Sequence, residues 1–145
     1  MRRRIKIYLD TSVYNRPFDD QSQARIRLEA EAFLTILEKT MAGAVSIISS
    51  SVLAYENSLS PFKDRKERVS TYVAIASRTV KMNDAIKKRA IVFEQAGFDS
   101  LDAMHLACAE FAARSTSSPV TITSSRKPGK IENQFHYLYA VPLNF

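Results

Sequence analysis

A length of 145 residues with a 46% hydrophobic share suits one ordinary buried core and leaves too little chain for two. With 21 Lys and Arg against 15 Asp and Glu, the formal charge is +6, which favours contact with polyanions and makes any gathering of the minority carboxylates informative. The single cysteine excludes an intramolecular disulfide, and no apolar run of about 18 residues is present to span a membrane.

Met1-Arg2-Arg3-Arg4 runs straight into a strand-like stretch and lacks the pattern of a secretory signal, so a cytoplasmic protein is the default expectation. Ile5-Lys6-Ile7-Tyr8-Leu9 alternates and is rich in strand formers, predicting a first strand. Asp10-Thr11-Ser12 stops it with residues suited to a turn and a helix start, and residues 15–20 read as a loop. Leu28, Phe33, Ile36 and Leu37 recur at helical spacing within 21–40, and Gly43 closes that helix. Val45-Ser46-Ile47-Ile48 predicts a second strand. Ser49, Ser50 and Ser51 then offer N-caps for a helix holding Val52, Leu53, Tyr55 and Glu56, ended by Pro61.

Three more helices are predicted: over 63–77, from a cap at Asn83 or Asp84 to Ala96 with Gly97 as the stop, and from a cap at Ser100 to Arg114. Cys108, between Ala107 and Ala109, reads as a buried small hydrophobe. Residues 115–119 are a loop by composition, and Val120-Thr121-Ile122-Thr123 predicts a strand. Residues 124–134 are polar and match no element, while Tyr137-Leu138-Tyr139-Ala140-Val141 predicts a final edge strand. Strands separated by helices imply a single α/β domain with a parallel sheet, whose functional groups gather beyond the carboxyl ends of its strands.

Asp10 follows the first strand, Glu56 lies on the helix after the second, and Asp102 lies in the first turn of a later helix. All three are therefore expected near one sheet edge. Carboxylates brought together raise one another's pKa unless a cation compensates them, and hard oxygen ligands suit Mg²⁺ or Mn²⁺. Taken singly, each has a purely structural reading: Asp10 as an N-cap, Asp102 opposing its helix dipole, Glu56 as an exposed helix residue.

The surrounding residues carry a resemblance. Leu9-Asp10-Thr11-Ser12-Val13 resembles the opening motif of PIN-domain nucleases. Ser51-Val52-Leu53-Ala54-Tyr55-Glu56 resembles that family's second motif, and Leu101-Asp102-Ala103-Met104-His105-Leu106-Ala107 its third. The likeness covers roughly residues 5–112, with the three motifs in order. It implies a three-layer α/β/α sandwich with a mostly parallel sheet, and a site of Asp10, Glu56 and Asp102 holding Mg²⁺ or Mn²⁺. The implied activity is cleavage of RNA phosphodiester bonds. Many bacterial members, the VapC type, are toxins held by an antitoxin, and homodimers are common among them. Thr11 or Ser12 would support a carboxylate or a metal-bound water.

The resemblance fails in one region. The family's fourth acid, in a Thr-x-Asp type motif after a late strand, would fall at Ser125, and residues from about 114 to 137 match poorly. Divergence, a reading-frame shift or a decayed copy would each produce that. Loss of this acid weakens a second metal or the positioning of water, whereas three acids still suffice for one ion.

His105, one helical turn after Asp102, reads as packing or as support for the acids, because one His and one Asp are too few for a closed transition-metal site. His136 is isolated, and three glycines leave no glycine-rich phosphate loop. Arg16, Arg25 and Arg27 are the best candidates for RNA contact. Tyr14 and Phe18 either stack on bases or belong to the core or an interface. The leading expectation is a metal-dependent endoribonuclease of the toxin type. The alternatives are a catalytically weakened nucleic-acid-binding protein and a module that binds an antitoxin or itself.

Overall fold

The computed structural model describes residues 5–116, 120–124 and 137–141. The alternating run forms β1 (Ile5–Leu9), and the β-branched run forms β2 (Val45–Ser50). They pair in parallel with Ile7 opposite Ile47. On its other side β1 pairs in parallel with β4 (Val120–Ser124), Leu9 opposite Thr123. β2 pairs in parallel with β3 (Arg78–Val80). β5 (Tyr137–Val141) runs antiparallel along β4, giving the order β3-β2-β1-β4-β5 and the expected edge strand.

The helices are α1 (Thr11–Asn15), α2 (Ala24–Met41), α3 (Ser51–Ser58), α4 (Lys63–Val73), α5 (Asp84–Gln95) and α6 (Ser100–Thr116), with a 3-10 turn at Arg16–Phe18. Their starts are chemical. Asp10, Ser50 and Asn83 are the N-caps of α1, α3 and α5, accepting from the N–H groups of Ser12, Leu53 and Ile86. Gly43 and Gly97 follow α2 and α5 at φ of 83° and 109°, torsions that a Cβ would oppose.

Two local expectations need correction. The helix expected over 63–77 stops at Val73, and Arg78–Val80 forms β3, a strand too short to show an alternating pattern. Ser100 is the first residue of α6 and not its cap; the helix opens with the Ala103 N–H on the Asp99 carbonyl at 2.8 Å.

The layers follow from the order of the strands. The chain steps from β1 to β2 to β3 in one direction, then crosses back over β1 to β4. Right-handed crossovers in opposite directions place their helices on opposite faces, α1 to α4 on one and α5 with α6 on the other. The result is a three-layer α/β/α sandwich. Phe33 and Leu37 of α2 join one hydrophobic core with Tyr8, Ile47, Val80 and the small residues Ala103, Ala107, Cys108 and Ala112 of α6. Those small side chains let α6 lie close to the sheet. Among the described residues, no helix is long and apolar enough to cross a membrane.

Candidate functional site

Between β1 and β4 the connections part in opposite directions, and in open α/β sheets this gap is where ligands bind, beyond the carboxyl ends. Asp10 emerges there. Its backbone N–H donates to the Thr123 carbonyl at 3.2 Å, and its buried carboxylate Oδ1 accepts the Ser12 N–H at 3.0 Å and the Ser12 hydroxyl. Asp10 is thus the cap of α1 and also stands at the sheet's switch point. The adjacent Thr11 is buried, and its hydroxyl has no hydrogen-bond partner among the described residues.

Glu56 stands on the second turn of α3 and is not an exposed helix residue. Its Oε1 lies 2.5 Å from His105 Nε2, and the two side chains are 12% and 3% exposed. Residues three apart on a helix share a face, so this bond holds Glu56 on the side of α6 that carries Asp102. Asp102 itself is half-buried in the first turn of α6.

The other nitrogen of the imidazole is also held. Nδ1 lies 2.5 Å from the Tyr8 hydroxyl, which lies 2.6 Å from Ser50 Oγ. Ser50 Oγ in turn accepts the Leu53 N–H at 3.2 Å. Burial, reinforced by Cys108 and Asp10 and opposed by the Ser50 hydrogen bond, pushes the Tyr8 phenol well above its ordinary 10.0. Tyr8 is therefore an O–H donor at any physiological pH. Because Tyr8 is two residues before Asp10, this run links the strand that delivers Asp10 to the Glu56–His105 pair, and His105 stands one helical turn from Asp102 on α6.

Among the described residues, no group of three or more His, Cys, Asp or Glu side chains is spaced to hold a metal ion. Ser125 and His136 lie outside the described residues.

The basic candidates divide by burial. Arg16 is tied inward, its Nε 2.5 Å from Glu29 and its Nη1 3.0 Å from Asp19. Arg65 also binds Asp19, at 2.9 Å, and the Phe18 carbonyl at 2.6 Å, so the segment after α1 is pinned to α4. Arg25, paired with Glu29 at 2.9 Å, and Arg27, donating to the Gln21 carbonyl at 3.2 Å, are exposed. Tyr14 is core, its ring edge against Phe33, and Phe18 packs at the core rim between Tyr72 and Arg65.

Tyr8 and Ser50 are the members of this site that sequence reasoning did not assign to it. The only signals were the place of Tyr8 in an alternating strand and that of Ser50 among three cap candidates. Compared with protein-family models the chain matches none, and no curated protein matches it.

Proposed function

We propose that this protein is a metal-dependent endoribonuclease that hydrolyses RNA phosphodiester bonds, of the kind that acts as the toxin of a toxin–antitoxin pair in the cytoplasm. The observation that carries this reading is the placement of Asp10 at the switch point of a parallel sheet, with Glu56 reaching the side of α6 that bears Asp102. The order of these acids, and the elements that carry them, agree with the PIN-domain resemblance. The +6 charge suits a polyanionic substrate.

Asp10, Glu56 and Asp102 have the donor chemistry for Mg²⁺ or Mn²⁺ and would hold the ion. Such an ion supplies a hydroxide-like nucleophile near neutral pH and offsets charge on the phosphate. The chain's own residues orient the acids: Ser12 holds Asp10, and His105 holds Glu56. Arg25 and Arg27, exposed on α2, offer cations to the RNA backbone, whereas Arg16 serves the internal ion pairs. An antitoxin and a second copy of the chain are the partners that the same resemblance implies.

Incubation of RNA with the protein and Mg²⁺ or Mn²⁺, for wild type and Asp10→Asn, tests the reading. Cleavage by the wild type and its loss in the variant are expected; equal cleavage by both would remove Asp10 from the chemistry. A second reading, RNA binding without cleavage, is favoured by Ser125 in place of the fourth acid. It gains if neither protein cleaves yet both bind RNA with a steep salt dependence.

A further inference from the structure

The imidazole of His105 is buried, and a packing role would require nothing of its two nitrogens. Both are engaged. Nε2 meets a carboxylate 49 residues away in sequence, and Nδ1 meets a phenol 97 residues away. That phenol is itself fixed by Ser50, the cap of α3, the helix that carries Glu56. The run thus starts and ends on α3, passing through β1 and α6.

With the ring neutral and Glu56 ionised, one assignment of protons satisfies every atom in it. A carboxylate only accepts, so Nε2 carries a hydrogen and donates to Glu56. Tyr8 has one proton, and giving it to Nδ1 leaves its oxygen to accept from the Ser50 hydroxyl. Ser50 then accepts from the Leu53 N–H. Donors follow one another in a single direction from the α3 backbone to the Glu56 carboxylate, and hydrogen bonds in series strengthen one another.

We propose that His105 is a positioning residue for Glu56, with Tyr8 and Ser50 dictating the ring tautomer that holds the carboxylate in one orientation. The proposal rests on the nuclease reading of this site and adds the device that orients one of its acids. Occupying Oε1 fixes both the rotamer of Glu56 and the plane of its carboxylate. Supporting groups of this kind commonly change metal affinity or activity by about 10- to 100-fold when removed.

Nitrogen NMR of the metal-free protein, Mn²⁺ titration and RNA cleavage kinetics together test it, on wild type, Tyr8→Phe, His105→Gln, His105→Leu and Asp10→Asn. The wild type is expected to show the Nε2–H tautomer, and Tyr8→Phe a mixture of tautomers. His105→Leu is expected to lose about 10- to 100-fold in Mn²⁺ affinity or kcat with KM little changed. His105→Gln, which keeps a donor, should recover part of that loss, and Tyr8→Phe reads the same effect if the leucine variant does not fold. An Nδ1–H tautomer in the wild type overturns the proposal. So does a folded His105→Leu with wild-type Mn²⁺ affinity and kcat while Asp10→Asn is inactive, an outcome that leaves the nuclease reading standing. A wild type that neither binds Mn²⁺ nor cleaves RNA overturns that reading and the role of His105 with it.

Discussion

The backbone N–H of Asp10 donates to the Thr123 carbonyl at 3.2 Å, extending the β1–β4 ladder one step beyond the pairing of Leu9 with Thr123. Asp10 therefore leaves the sheet in a set direction and enters α1 as its cap. A residue that must serve both as cap and as site acid can be separated by substitution, because the two roles need different chemistry.

Asp10→Asn keeps a side-chain oxygen for the Ser12 N–H, so its stability should stay close to that of the wild type. Asp10→Ala should lose about 1 kcal/mol, the usual cost of a missing N-cap. Denaturant unfolding of the two variants checks this, and an asparagine as damaging as alanine would contradict the capping account.

Tyr14 is fully buried, and its hydroxyl has no hydrogen-bond partner among the described residues. Burial also pushes its phenol far above the ordinary 10.0. Tyr14→Phe keeps the ring against Phe33 and removes the unsatisfied oxygen, so stability should hold or rise, by up to about 1 kcal/mol. A loss larger than that, read from the unfolding midpoint, would mean that the hydroxyl has a partner in solution.

Arg65 joins α4 to Asp19 and to the Phe18 carbonyl, with its guanidinium 5.2 Å from the centre of the Phe62 ring. Arg65→Ala should cost about 1.5–3 kcal/mol, as expected for a hydrogen bond to a charged group. It should also speed amide exchange in residues 16–20 relative to the sheet. Arg65→Lys should rescue little, since an ammonium cannot reproduce the planar fork that spans both acceptors. Exchange unchanged in that segment would show that the clamp is dispensable.

Stability should fall on the alkaline side. Burial lifts the Cys108 thiol from an ordinary 9.0 to about 11. The folded state thus keeps a proton that the unfolded chain releases first. This contribution is complete below pH 9 and is lost as pH rises toward 11, at up to about 1.4 kcal/mol per pH unit. Cys108→Ala should be less stable at neutral pH but show a shallower decline between pH 9 and 11. Parallel declines in thermal midpoint for the two proteins would exclude the thiol as a cause.

Much of the architecture was legible locally. Alternation marked β1, a β-branched run marked β2, and Ser50, Asn83, Gly43 and Gly97 marked helix ends, because capping and torsional preference act over a few neighbouring residues. β3 was not legible, since three residues carry no period, and it is held in place by pairing with β2. Arg16 read as a candidate for RNA contact; only folding brings Glu29 of α2 against it, 13 residues along the chain.

The sequence by itself determined the α/β class, the order of the elements and which acids follow which strands, all properties of local spacing. The tertiary structure alone decided that the strand connections would part between β1 and β4, at Asp10. It alone decided that Glu56 would be held by His105, and His105 by Tyr8 and Ser50. Those bonds join residues 42 to 97 positions apart. Partners so distant meet only because opposite crossovers stack α3, β1 and α6 at one edge, a geometry that no local pattern encodes.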